Sequence, residues 1–168
     1  ATVKGNLVID PNQSFEINDS RVLTLMGSLV NLGGHLITVQ PTAWLVLGNP
    51  NGTEIISQSY LPNIRVAANS KNNKIKARGL AVGDGTLIDF CSGDPIEQMI
   101  AALDPGSIDF LANTSPATSS LEVEFTDTDR AHVDSLYTGN NATLTLKSNL
   151  VQKGDLTHVE NAKIDVGT

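Results

Sequence analysis

The chain has 168 residues, 40% of them apolar and only 4% aromatic, and its 11 Lys/Arg against 18 Asp/Glu leave a net charge of −7. That length holds one domain with its own core, so no metal or disulfide staple is required, and the single cysteine, Cys91 in LIDFCSG, excludes an internal disulfide and reads as a small buried hydrophobe. The acidic balance, and a basic strip RVAANSKNNKIKAR (65–78) without an aromatic to stack on bases, exclude nucleic acid as a partner.

The N-terminus, ATVKGNLVID, has no charged-then-apolar leader, and a start at Ala rather than Met favours a processed chain. NLVID sets Leu7 and Ile9 on one side and FEIND does the same with Phe15 and Ile17, so Asp10-Pro11-Asn12 between them predicts a hairpin turn. The most apolar stretch follows at 22–48, VLTLMGSLVNLGGHLITVQPTAWLVLG. Asn31, His35, Gln40, Pro41 and four glycines cut it short of the roughly 20 apolar residues of a spanning helix. Gly and Pro recur within every would-be helical run, so the bursts LTL, SLVNL, HLITV and AWLVL read as successive strands, buried on both faces.

Gly48-Asn-Pro-Asn-Gly52 is a turn, EIIS a short strand, and IRVAA and KIKARGLAV further strands around a polar loop tip at Asn69–Asn73. Gly83-Asp84-Gly85 turns the chain into TLIDF. One helix is expected, over 94–103: Asp94 serves as N-cap, Pro95 takes the first helical position, Glu97 completes the capping pattern, and Ile96, Met99, Ile100 and Leu103 share one face. A Ser/Thr/Pro/Asn-rich joint at 113–120 separates a Gly/Pro-punctuated module (1–112) from a final segment (121–168), as a linker or as a loop within one continuous domain. From Leu121 onward the alternation of LEVEF, LTL and IDV predicts half-exposed antiparallel strands.

The fold expected is therefore all-β with one short helix, packed as a β-sandwich or jelly roll. A short β-solenoid is the alternative, since breaks after Gly34, Gly52 and Asn73 give turns of roughly twenty residues. The lack of a side chain repeating faithfully from turn to turn favours the sandwich.

GSLVNLGGHLITV followed by AWLVLGNPNG resembles the glycine-punctuated β segments of phage tail-spike and fibre proteins and of bacterial surface adhesins, over about a third of the chain. The resemblance implies a secreted or virion-surface β protein that assembles into oligomers, often trimers. It carries over no functional residue.

The chain contains no GxSxG elbow, phosphate loop, dinucleotide fingerprint, HExxH or CxxC. His35, His132 and His158 lie in or beside strand patterns without ligand spacing. Glu122 and Glu124, about 7 Å apart on one strand face, match the separation of an inverting glycosidase pair, yet read as a solvated face. Asp127, Asp129 and Asp134 lack the glycine and terminal Glu of a calcium loop. Sequons at Asn12, Asn18, Asn51, Asn113 and Asn141 point to exposed turns of an extracellular protein. No catalytic residue, metal ligand or cofactor is expected.

Charge is split along the chain: residues 1–80 carry +3 and residues 81–168 carry −10, with five cations between Arg65 and Arg78. That asymmetry suits head-to-tail contact between copies. Trp44, Arg65, Lys74, Lys76 and Arg78 are accordingly the candidates for packing or interface contacts. The expected function is non-enzymatic assembly at a virion surface, as a spike, fibre or decoration subunit; a cell-surface adhesin or pilus-like filament subunit is the alternative. A carbohydrate-binding or polysaccharide-degrading module is the rival from another class, limited to Trp44, Tyr60 and Tyr137 for sugar platforms.

Overall fold

The computed structural model describes residues 1–18, 20–37, 42–82, 104–158 and 162–166. The strand signals read from the sequence are nearly all present, but their partners are one turn away, not next in line. The chain winds as a β-solenoid of about six turns. Its first rung is β1 (Thr2–Val3), β2 (Leu7–Ile9) and β3 (Ser14–Glu16), and the second is β4 (Val22–Leu25), β5 (Leu29–Asn31) and β6 (His35–Ile37). The third is β7 (Trp44–Leu47) and β8 (Glu54–Ser57), and the fourth β9 (Asn63–Val66) and β10 (Asn73–Ala77). The fifth is β11 (Ile108–Phe110), β12 (Ser119–Phe125) and β13 (His132–Val133), the sixth β14 (Leu136–Thr138), β15 (Ala142–Leu146) and β16 (Val151–Gln152), and the seventh β17 (Leu156–His158) and β18 (Lys163–Asp165).

The leading strand of each rung joins a seven-stranded sheet, side A, in the order β1-β4-β7-β9-β11-β14-β17, and the second strand joins another, side B, from β2 to β18. Every strand pair among the described residues is parallel. Among the described residues a third side comprises three pairings: β3 with β6, a bridge of Leu61 with Leu80, and β13 with β16. This overturns the sandwich or jelly-roll expectation and bears out the solenoid alternative. The hairpin expected around Asp10-Pro11-Asn12 is also corrected. Gln13 N–H donates to Asp10 O (3.1 Å) and Asn12 adopts φ 64°, so the chain does turn, but only from side B to the third side. The strands after Leu121 are likewise parallel, not antiparallel. The helix expected at 94–103, the TLIDF strand and Cys91 lie outside the described residues.

Stacking explains why such short strands hold. On side A, Val3, Leu25, Leu47, Val66 and Phe110 form one inward row, and Leu23, Leu45, Ile64, Ile108 and Leu136 the next. On side B, Leu7, Leu29, Ile55, Ile75, Val123 and Leu146 face them. Most of these belong to one continuous buried core. A fully buried Leu, Ile or Phe contributes about 1.5–3 kcal/mol. The apolar stretch at 22–48 thus finds its cover within its own chain: Leu25, Leu29, Leu45 and Leu47 are fully buried between neighbouring rungs.

Corners need a different solution, because backbone groups leaving a strand lose their ladder partners. Asparagine amides supply them. Asn73 is buried and accepts from Thr53 N–H (2.9 Å) one rung before, while its amide donates to Ser120 O (3.0 Å) one rung after. Asn113 repeats the arrangement between Asn69 N–H (2.7 Å) and Asn140 O (3.0 Å). At the corner leading into side A, Asn63 donates to Ala43 O (2.9 Å) and accepts from Ser107 N–H (2.8 Å). The joint at 113–120 is therefore part of a corner within rung five. Close stacking also fixes glycine: a Cβ on Gly27 would lie 2.4 Å from Gly5 O of the preceding rung.

Candidate interaction surface

The outward face of each strand alternates with the core rows, so register determines what meets what on the surface. On side A the outward row runs Thr2, Thr24, Val46, Arg65, Asp109, Tyr137 and Thr157. On side B one row runs Val8, Val30, Ile56, Lys76 and Glu124, and another Glu54, Lys74, Glu122, Thr145 and Asp165.

The five residues singled out from the sequence do not form one basic patch. Trp44 is half-buried on β7, and the Arg65 guanidinium from β9 sits over its ring, 4.1 Å from the centroid. The same Arg65 donates through Nε to Asp109 Oδ2 of β11 at 2.6 Å. Lys76 on side B pairs with its register neighbour Glu124 (2.9 Å), while Lys74 stands exposed between Glu54 and Glu122 in the adjacent row. Arg78, at the end of side B, lies 4.8 Å from the Tyr60 ring centroid and 3.3 Å from Asp127 Oδ2. Two aromatic–arginine–aspartate columns result, Trp44–Arg65–Asp109 and Tyr60–Arg78–Asp127, each rising through rungs three, four and five.

Three of the strip's five cations, Arg65, Lys76 and Arg78, are therefore paired with acids of rung five within the chain. The sequence reading missed Asp109 altogether, and the pairings of Glu124, Asp127 and Tyr60, whose partners lie 44 to 67 positions away; only the solenoid register would have found them.

Asp127 is the most engaged of these acids. Tyr60 hydroxyl donates to its Oδ2, and its Oδ1 accepts from Asp129 N–H (3.2 Å), capping the 3₁₀ turn Thr128–Arg130. The Tyr60 hydrogen bond, with Arg78 behind it, holds its carboxyl below the ordinary value of 3.8 against the opposing effect of burial. The residue that sequence reading weighed as a calcium ligand is thus committed to a structural lock. Among the described residues no group of three His, Cys, Asp or Glu is placed to hold a metal ion. Glu122 and Glu124 do share an outward face, but each faces a lysine, Lys147 at 3.7 Å and Lys76 at 2.9 Å.

The remaining surface feature is apolar. Val8 (56% exposed), Ile56 (46%) and Leu32 (42%), with half-buried Val30 between them, occupy the outer face of side B over the first three rungs. From the fourth rung the same row turns charged. An open groove of about 570 Å³ lies near the other end beside Lys147, Asn149 and Asp165. No helix of the described residues is long and apolar enough to cross a membrane. No family model, curated protein or solved structure matches this chain.

Proposed function

We propose that the chain is a non-enzymatic structural module of a virion surface, part of a spike, fibre or decoration subunit, that works as a rigid spacer and assembles with copies of itself. The observation that carries this reading is the unbroken stack: seven parallel strands on each of two sides, with inward rows of Leu, Ile, Val and Phe running through successive rungs. Six spacings of about 4.8 Å make a rod roughly 29 Å long from these rungs alone. Such a fold spends its side chains on axial continuity, which is what a spacer needs.

Self-association has its best support on side B. Val8, Val30, Leu32 and Ile56 present an apolar run, and the charges beside it alternate in sign across Glu54, Lys74 and Glu122, so a second copy laid on this face meets no large field of one sign. A cell-surface adhesin or filament subunit would use the same rod. The carbohydrate reading loses support at two of its three aromatic positions, because Arg65 covers a face of Trp44, and Tyr60 is 5% exposed with Arg78 at its ring. Sugar stacking requires such faces to be open.

Sedimentation equilibrium over a wide concentration range, on the chain and on an Ile56→Glu variant, tests the proposal. The expected result is a defined oligomer that the variant dissociates. A monomer at every concentration, or one that retains or depolymerises a polysaccharide, would overturn it.

A further inference from the structure

The first and last rungs differ from those between them in what they do with their core residues. Among the described strands, β1 and β2 stand at one edge of sides A and B and β17 and β18 at the other. Along side B the inward row that starts at Leu7 and passes Leu29, Ile55, Ile75, Val123 and Leu146 continues to Val166, one position past the Thr145–Asp165 pair, and Val166 is 75% exposed. Along side A the buried row of Leu23, Leu45, Ile64, Ile108 and Leu136 ends on Leu156, which is 56% exposed. At the opposite end Val3, Leu7 and Phe15 are half-buried against the same core. The core rows thus open to solvent at both ends of the stack, where a repeat protein that stays separate presents a polar outer face.

We propose that these two ends bind each other: rung one of a second copy stacks on rung seven, so that rods join head to tail along one axis. The inference rests on the reading of the chain as a self-assembling rod, but it uses a surface separate from the apolar run on side B. Three observations select a copy of this chain as the occupant. Row continuity is the first, since in such a joint Leu7 of the incoming copy lies over Val166 and Thr2 over Thr157, extending the rows in the register of the internal seams. Direction is the second. Head-to-tail stacking keeps every strand parallel to its neighbour, as within the chain, whereas joining two like ends would set the edge strands antiparallel. Charge is the third: residues 1–80 carry +3 and residues 81–168 carry −10, so opposite ends attract. A strand edge backed by open apolar side chains is a template for one more strand.

Thr2 and Thr157 give the test. Both are exposed and lie at the extremes of the outward row on side A, roughly 29 Å apart within one chain but about 4.8 Å apart across a head-to-tail joint. In a Cys91→Ala background, Thr2→Cys chains and isotope-labelled Thr157→Cys chains are mixed in equal amounts and oxidised, and the disulfide-linked dimers are sorted by mass. Random encounter gives about twice as much mixed dimer as either like dimer. Head-to-tail stacking predicts a mixed share well above that ratio; a share at or below it, or no dimer, overturns the proposal. Val166→Asp in the Thr157→Cys chain is a surface change that leaves the fold intact. It removes a buried valine from the joint and lowers the yield of mixed dimer by about tenfold; any fall supports the joint and an undiminished yield overturns it. Ile56→Glu in both chains keeps the two readings apart. Mixed dimer persists in that background if the joint is axial, even where association through side B is lost, and its disappearance would assign the contact to side B and overturn the joint.

Discussion

Replacing Asn73 by alanine removes the side chain that ties three rungs at one corner. The buried Thr53 amide loses its acceptor at 2.9 Å, and Ser70 O and Ser120 O lose donors at 3.1 and 3.0 Å. A buried donor left without a partner costs about 1–3 kcal/mol, and the small void left behind adds to it. The expected loss is about 3 kcal/mol, a large fraction of the stability of any single domain. Urea unfolding followed by circular dichroism measures it, and hydrogen exchange at Thr53 localises it. Asn73→Asp separates shape from hydrogen bonding, since a carboxylate can still accept from Thr53 N–H but faces the oxygens of Ser70 and Ser120 with no hydrogen to give. It should therefore destabilise at neutral pH at least as much as alanine, and less once acid protonates it. An Asn73→Ala loss below about 1 kcal/mol with Thr53 still protected would refute the idea that corner asparagines hold the rungs together.

Other expectations follow from the same geometry. Gly27→Ala forces a Cβ to within 2.4 Å of Gly5 O and should cost about 2 kcal/mol or more, whereas Gly5→Ala, with nothing within 4 Å, should stay within about 0.5 kcal/mol in the same unfolding assay. Arg65→Ala removes both the contact over Trp44 and the pair with Asp109, so a loss of about 1–2 kcal/mol should come with a shift in emission from Trp44, the sole tryptophan; an unchanged spectrum would count against the stacked column. Asp127, held below its ordinary 3.8 chiefly by Tyr60, contributes stability that is complete above about pH 4 and fades as pH falls through its lowered value. An Asp127→Asn variant should therefore be less stable than the parent at neutral pH and show a shallower decline as pH falls below about 4, read by thermal unfolding at each pH.

Strands were legible because period-2 alternation and Gly/Pro punctuation are local signals. LEVEF alternates, and Leu121, Val123 and Phe125 are indeed the buried set. Direction of pairing was not legible, because the same alternation serves an antiparallel sheet with one wet face and a solenoid wall. Asp10-Pro11-Asn12 turns the chain whether the next strand comes back alongside or heads for a third side. The roughly twenty-residue period was visible, but insertions blur it: the steps between partners are 22 residues from Leu7 to Leu29 and 26 from Leu29 to Ile55. No identical ladder appeared because Asn, Ser and Thr share one role at the corners. Asn6, Asn63, Asn73 and Asn113 do it with amides, while Ser20 N–H is met by the Thr42 hydroxyl and Ser135 N–H by the Ser107 hydroxyl. The surface columns were beyond reach without that register, since Arg65 and Asp109 are neighbours only once the rungs are stacked.

Cross-linking by designed cysteine pairs tests the winding itself most directly. In a Cys91→Ala background, Val30→Cys with Ile56→Cys, and Lys74→Cys with Glu122→Cys, place thiols on outward, in-register positions of adjacent parallel strands, about 4.8 Å apart along the rod and within reach of a disulfide. The solenoid predicts that both pairs close rapidly within single chains, whereas Val8→Cys with Glu16→Cys, the pair a hairpin would bring together, stays open. Closure of that hairpin pair with neither of the others forming would contradict it.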